Sequence, residues 1–184
     1  SLSALIMTRK IKPFEDLKAF LLICTILFDN RFDIVQYTTP KASLIGAIAS
    51  WIVRVPHRLY LMWGLYYVTQ TGLRKKLFRF FEKLICTLST NIAPDSHGNC
   101  LFAIEQKLSS HTKMSVVWNG SANGVDVSRF DPERLRPYRS KIRRNHRIPE
   151  DAFVYGTIAA LVRDKGINEL VKAFVSVGKE ADNV

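Results

Sequence analysis

The sequence predicts an α/β fold built around a parallel β-sheet. Short runs rich in β-branched and apolar residues alternate with longer segments of helical periodicity along the 184 residues. A chain in which strands and helices alternate usually forms a parallel sheet with helices on both faces. The composition is that of a globular protein, since 47% of the residues are hydrophobic and 23% are charged.

The first part of the chain supplies two helices and two strands. Pro13 suits the first turn of a helix, because proline is tolerated there, and Pro56 ends the second helix. The predicted elements are a helix from Pro13 to about Asp29, a strand at residues 33–38, a helix at 41–53 and a strand at 57–62.

The remainder continues the alternation. One helix carries apolar residues on one face and basic residues on much of the remainder. The apolar residues are Leu77, Phe80, Phe81, Leu84 and Ile85. The predicted elements are a helix at 73–88, a weak strand at 91–94, a helix capped by Ser96 and running to about Leu108, strands at 114–118 and 153–161, and a helix at 167–177. Residues 119–150 between the last two strands are typical of a connector with a basic helix.

The charge predicts an anionic partner. The formal net charge is +11, which suits nucleic acid, an acidic lipid surface or a phosphorylated small molecule.

The three cysteines form no C-x-x-C pair and fit a reducing cytoplasm. The four histidines lack ligand spacing, so no metal is predicted. The longest apolar run, residues 19–28, is shorter than the roughly 20 residues that span a bilayer.

Four motifs in order resemble the bacterial family 4 glycosyltransferases. Residues 119–130 read NGSANGVDVSRF, close to the crossing between the two domains of that family. The other three are DIV at 33–35 with TPKA at 39–42, IPEDAFVYG at 148–156, and RDKGI at 163–167 followed by Glu169 and Leu170. The resemblance covers nearly the whole chain.

The resemblance implies the GT-B fold, in which two Rossmann-like domains face each other across the active-site cleft. Residues 1–118 would belong to the acceptor-side domain, residues 119–150 to the crossing and its linker helix, and residues 151–184 to the start of the donor-binding domain. It also implies an internal fragment, because relatives begin with an earlier strand-turn-helix and end with a donor domain that carries an E-x7-E motif. The first β-α unit is then the only part of the donor domain in this chain.

The donor-side candidates are Lys165, Arg163 and Gly166. Lys165 precedes a helix, where a cation and the helix N-terminus can both face a diphosphate leaving group. The family usually has an arginine five residues before this lysine, where this chain has Ala160, and Arg163 is the candidate substitute. The alternative for Lys165 is an exposed lysine in a turn.

The candidates for the cleft and acceptor side follow the other strands. They are Lys41, Trp63, Gly64, Asn119, Gly120, Ser121 and Asn123. Trp63 stands where many relatives have His or Arg, and Gln36 and Thr38 stand where they often have His. Trp63 would either stack on a sugar or be a buried aromatic. The two Asn-Gly pairs would form either a hinge or a cleft lining of backbone amides.

The predicted function is transfer of a sugar from a nucleotide-sugar, in cytoplasmic synthesis of a cell-envelope or capsular polysaccharide, without metal or cofactor. A lipid-linked acceptor and the anionic inner leaflet are predicted partners, since the helix at 73–88 is basic. The alternatives are a non-catalytic basic module that binds membrane or nucleic acid, and a degenerate transferase. The piece alone is expected to show no turnover.

Overall fold

The structure is a computed structural model that describes residues 11–121, 123–162 and 165–180. The chain divides into two compact units, Ser1–Gly124 and Val125–Val184. The predicted domain limits at residues 118 and 150 stay predictions.

The first unit contains a three-stranded parallel sheet in the order β1-β2-β3. Ile34 of β1 lies opposite His57 of β2, and Leu59 of β2 lies opposite Asn91 of β3. Helices α2 and α3 are the crossovers that parallel pairing requires. The elements are α1 Pro13–Asn30, β1 Ile34–Tyr37, α2 Pro40–Ile52, β2 His57–Met62, a short 3₁₀ helix Tyr66–Thr69, α3 Gly72–Leu88, β3 Asn91–Pro94 and α4 His97–Glu105. The predicted α/β class is confirmed.

Local sequence explains where these helices begin. Proline occupies the start of α1 and of α2, where a missing N–H costs no helical hydrogen bond. Ser96 caps α4 as predicted, because its side-chain oxygen accepts a hydrogen bond from the Asn99 N–H at 3.2 Å.

The core of the first unit lies on one face of the sheet. Tyr37, Tyr60 and Ile92 occupy neighbouring positions on the three strands, and all are buried. The Tyr37 hydroxyl is hydrogen-bonded to Ser89 Oγ at 2.8 Å, and the Tyr60 hydroxyl donates to Glu82 Oε1 at 2.6 Å. Alternate strand residues on the other face are only partly buried or exposed, so the described helices cover one face more completely.

The apolar face predicted for α3 is only partly buried. Leu77 and Phe80 are exposed, whereas Glu82 and Cys86 are buried beside Ile85. The hydroxyl of Tyr60 explains this difference, because it gives the Glu82 carboxyl a hydrogen-bond partner inside the protein.

The predicted strand at residues 114–118 is reduced to one parallel bridge between Ile92 and Met114. After Met114, the chain leaves β3 and turns at Trp118, whose φ is 54°. This left-handed conformation is incompatible with continued strand pairing.

The second unit contains α5, Pro132–Asn145, and α6, Ile167–Glu180. Asp131 caps α5, since its Oδ1 accepts from the Glu133 N–H at 3.0 Å. The predicted buried strand at residues 153–161 is absent and the segment is largely exposed. No strand in the described part of the second unit is available to pair with it, and an unpaired strand leaves its backbone groups unsatisfied.

Candidate functional site

The candidate site of the first unit is the carboxyl edge of its sheet. In open α/β sheets this edge is where ligands bind. Parallel pairing aligns the segments that follow β1, β2 and β3, which begin at Thr38, Trp63 and Asp95. The predicted residues Lys41, Trp63 and Gly64 therefore belong to one edge.

Asp95 connects this edge to the predicted Asn-Gly-Ser segment. Its N–H donates to the carbonyl of Met62 at 3.1 Å, and its own carbonyl accepts from the Ser121 N–H at 2.5 Å. Its carboxylate accepts from the Asn99 side chain at 2.6 Å. The end of β3 thus holds residues 119–121 at the sheet edge.

Gly120 is fixed by both its conformation and its surroundings. Its φ is +87°, and a Cβ on this residue would lie 2.5 Å from the Asp95 carbonyl oxygen. Only glycine allows this close approach of two backbone segments. The contact fixes this segment against the end of β3, and the residues on either side of Gly120, Asn119 and Ser121, are exposed.

The second Asn-Gly pair forms a separate turn. Gly124 has φ of +68°, and its N–H donates to Ser121 Oγ at 3.2 Å. Asn123 is exposed in this turn. Both Asn-Gly pairs therefore form turns with a positive φ at glycine, as predicted. The first pair, Asn119-Gly120, also packs against the end of β3.

Trp63 and Gly64 follow β2 directly. The Trp63 side chain is 49% exposed, so it is neither a core residue nor fully solvated. Gly64 has φ of +99°, and open space surrounds the position of a Cβ. Glycine is therefore required at position 64 by the backbone turn and not by a close neighbour in the described structure.

Lys41 makes an ion pair with Asp16 of α1. The hydrogen bond from Lys41 lowers the pKa of the Asp16 carboxyl below its ordinary value. Lys41 lies at the start of α2, as predicted, but its ammonium group already has a carboxylate partner.

Two hydroxyl groups lie near the start of α2, of which Thr38 was noted in the sequence as a position where relatives often have His, whereas Ser43 was missed. Thr38 Oγ1 and Ser43 Oγ are buried and have no hydrogen-bond partner within the part of the chain that the structure describes. Buried polar atoms without partners are rare in folded proteins, and strain, a bound water, an ion or a catalytic role can account for them. No sequence signal separates Ser43 from other residues near a helix start. Asp95 directly follows a predicted strand, and it could have been found because ligands bind at the carboxyl ends of parallel strands.

The donor-side candidates belong to the second unit. Lys165 is exposed, and its N–H donates to the Val162 carbonyl at 3.1 Å. Gly166 has φ of +67° and directly precedes α6. A Cβ at Gly166 would lie 3.9 Å from a carboxylate oxygen of Glu169, in the first turn of α6. Arg163 lies outside the described residues.

The described residues contain no group of three or more His, Cys, Asp or Glu side chains placed to hold a metal ion. Within the same residues no helix is both long enough and apolar enough to cross a membrane.

Comparison with known proteins places these observations in context. Over 180 residues, 97% of its length, the chain is 32% identical to the capsular polysaccharide biosynthesis glycosyltransferase CapM of Staphylococcus aureus, of which it covers 46%. It also superposes on HepE of Anabaena, whose crystal structure was determined in complex with UDP, with a TM-score of 0.64 and 19% identity. That match covers 86% of this chain and 40% of HepE, and it shows a shared fold.

No protein-family model matches the chain. The alignment with CapM nevertheless runs through all four motifs. The predicted resemblance to glycosyltransferases is therefore confirmed, and the chain spans about half the length of the curated relative that it matches.

Proposed function

We propose that this chain is part of a GT-B glycosyltransferase that moves a sugar from a nucleotide-sugar to an acceptor in cell-envelope or capsular polysaccharide synthesis. The observation that carries the proposal is the 32% identity to CapM along 97% of the chain. The parallel α/β sheet, with its candidate residues at the carboxyl edge, supports it independently.

The proposed donor is a nucleoside diphosphate sugar. The structural neighbour HepE was crystallised with UDP, which supports a uridine nucleotide as the first probe. Lys165, Arg163 and the amides that follow Gly166 would face the diphosphate and stabilise the charge that develops as it leaves. This proposal involves no metal or cofactor, because these cationic and amide groups supply the positive charge. Glu169 lies in the same helical turn and would have to point away from the phosphates.

The proposed acceptor side is the sheet edge of the first unit. The exposed part of Trp63 offers an apolar surface on which a sugar ring can stack. Asp95 is a positioning residue in this scheme, since its carbonyl holds the Asn119–Ser121 segment through the Ser121 N–H.

The proposed partners are a lipid-linked acceptor and the anionic inner leaflet, with the protein on the cytoplasmic side as a peripheral membrane protein. The net charge of +11 supports attraction to an acidic surface. The competing function, a non-catalytic basic module for nucleic acid, rests on the same charge. A salt titration of nucleic-acid affinity separates the two, because tight binding that is lost steeply as salt is added would support the module and count against the enzyme.

A chimaera tests the enzymatic proposal. The chain replaces the aligned segment of CapM, and release of UDP from a panel of UDP-sugars is measured with a membrane extract as acceptor source. We expect turnover by the chimaera and none by the chain alone, which covers 46% of the relative. Lys165→Ala in the chimaera should lower kcat by roughly 100-fold or more, the usual cost of losing transition-state charge stabilisation.

Lys141→Ala is the matched control, since this lysine is also exposed. Equal activity of the Lys165→Ala and Lys141→Ala chimaeras would remove Lys165 from the proposed donor site. A well-folded chimaera without turnover on any UDP-sugar would contradict the transfer proposal itself.

A further inference from the structure

Helix α3 turns an apolar stripe towards solvent. Leu73, Leu77 and Phe80 are 82%, 51% and 60% exposed, whereas the one acidic residue of the helix, Glu82, is 5% exposed. Residues spaced four and then three apart lie on the same side of a helix. An amphipathic helix normally shows the opposite arrangement, with its apolar residues inside and its charged residues outside.

The cations of α3 fall into two groups. Arg79 donates to the Gln106 carbonyl at 2.7 Å and Lys83 donates to the Lys107 carbonyl, so both are tied to the end of α4. Arg74, Lys75 and Lys76 are exposed, and no hydrogen bond or ion pair of their side chains occurs among the described residues. Among the described residues, Arg74 and Lys76 therefore lie as uncompensated cations on the two flanks of the exposed stripe, and Lys75 lies in the same turn on another side of the helix.

The position of these three cations is unfavourable for the helix itself. They lie in its first turns, where the helix dipole is positive, and the first turn contains no acidic residue. Thr71, at the N-cap, makes no side-chain capping hydrogen bond. An external anionic surface would compensate both the side-chain charges and the dipole.

We propose that the first turns of α3, residues 73–80, dock the protein on an anionic lipid bilayer through the exposed stripe of Leu73, Leu77 and Phe80 and the neighbouring cations Arg74, Lys75 and Lys76. This α3 docking face combines lysine and arginine with leucine and phenylalanine, the composition of helices that lie in the membrane interface. The apolar side chains enter the headgroup region while the cations contact lipid phosphates. The exposed leucines favour a bilayer over nucleic acid, whose phosphate surface offers them no apolar contact. This docking face specifies how the proposed membrane partner is contacted. Its biological purpose rests on the proposed function.

Vesicle sedimentation tests this inference with the full 184-residue chain. The vesicles contain either phosphatidylcholine alone or phosphatidylcholine with a large share of phosphatidylglycerol. We expect the chain to pellet with the anionic vesicles and to be released by added salt. The triple variant R74Q/K75Q/K76Q should bind them on the order of 100-fold more weakly, since each cation near an anionic leaflet contributes about a factor of five.

Two further variants make the result specific. L73Q/L77Q keeps every charge and removes apolar surface, so it should also weaken binding to the anionic vesicles. K141Q/R144Q/R147Q removes three exposed cations of the second unit and the same net charge, and it should bind like the parent chain. Because all the replaced side chains are exposed, circular dichroism should show unchanged folding.

Equal binding to neutral and anionic vesicles would overturn the proposal, as would an equal loss in the two triple variants. Tighter binding to a DNA duplex than to the vesicles, lost in R74Q/K75Q/K76Q, would assign the face to nucleic acid instead. The readout is independent of sugar transfer. An inactive chimaera that still carries a working docking face would refute the proposed enzyme and leave the membrane surface standing.

Discussion

At the scale of single residues, Gly120 is the best-defined position of the candidate site. Two separate requirements meet there, a left-handed backbone and the absence of a Cβ next to the Asp95 carbonyl oxygen. Gly124 shares the first requirement but has nothing within 4 Å of a Cβ position. The two glycines therefore form a natural comparison between backbone strain and steric conflict.

Gly120→Ala should destabilise the first unit more than Gly124→Ala. The second variant incurs only the cost of a left-handed alanine, about 1 kcal/mol. The first must also push Asp95 away and disturb the Ser121 hydrogen bond, so we expect a loss of roughly 2 to 4 kcal/mol. Urea unfolding followed by tryptophan fluorescence measures this, because Trp51, Trp63 and Trp118 all lie in the first unit. Equal midpoints for the two variants would contradict the contact with Asp95.

Sequence reasoning reached part of this site. The Asn-Gly dipeptides predicted tight turns at residues 119–120 and 123–124, and both glycines have positive φ. The contact between Gly120 and Asp95 could not be predicted, because it depends on how two distant segments pack at the end of β3. Turn chemistry is local, whereas close approach is a property of the folded chain.

At the scale of secondary-structure elements, α3 shows the limit of periodicity. Apolar residues are so frequent between Leu73 and Leu88 that more than one helical face could be chosen as the buried one. The partner across the interface decides, since Tyr60 of β2 draws Glu82 inward through its hydroxyl. A buried glutamate could not be expected from the sequence, because this residue type is rarely inside.

The Glu82 carboxyl should make the stability of the first unit depend on pH. Burial raises the pKa of Glu82 above its ordinary value of 4.5. The unfolded chain therefore releases its proton first as the pH increases, and stability falls from about pH 4.5 up to the folded-state pKa. Glu82→Gln keeps a hydrogen-bond acceptor for Tyr60 and removes the titratable carboxyl. The urea midpoint of this variant should therefore not show this decline as the pH rises.

The matched variants for this experiment are Glu105→Gln and Tyr60→Phe. Glu105 is exposed on α4, and its replacement should leave the decline with pH intact. Tyr60→Phe leaves the buried carboxyl without its donor and should cost about 1 to 3 kcal/mol. A pH profile of Glu82→Gln identical to that of the parent chain would exclude this carboxyl as its cause.

At the scale of the whole molecule, the two units are unequal in packing. The first unit has a core of buried strand and helix residues, whereas no residue is buried in the described ranges 125–162 and 165–178 of the second unit. Phe153 and Tyr155 contact each other, with ring centroids 4.9 Å apart, and Tyr155 also meets Phe174 of α6. These contacts hold part of the segment at residues 153–161 near α6 without a sheet.

Hydrogen exchange should distinguish this segment from a true strand. Among the described residues, no backbone hydrogen bond is donated by the amides of residues 153–161, so they should exchange almost as fast as an unfolded peptide. The amides of β2, which pair with strands on both sides, should be strongly protected. Mass spectrometry of peptic fragments measures both regions in one experiment. Protection of residues 153–161 equal to that of β2 would show that the predicted strand forms after all.

The four ordered motifs predicted the resemblance to glycosyltransferases correctly, whereas the predicted strands matched the observed sheet only in part. Four motifs in register gave the resemblance to glycosyltransferases that the CapM alignment confirms. The strands at 57–62 and 91–94 were placed at their observed limits, because each has a neighbour with which to pair. The segment at 153–161 has the composition of a strand but no pairing partner in the described structure. Composition alone does not produce the hydrogen bonds between strands that form a sheet.

The two hydrogen bonds of the Asp95 backbone give this protein a built-in spectroscopic reporter. The Asp95 amide senses the pairing of the β2 and β3 ends through Met62, and the Ser121 amide senses the seating of the Asn-Gly-Ser segment. A ligand that binds at the sheet edge perturbs these two nitrogen resonances together, whereas one that binds elsewhere leaves them in place. A nuclear magnetic resonance titration can therefore rank acceptor fragments at this edge before any enzymatic assay exists.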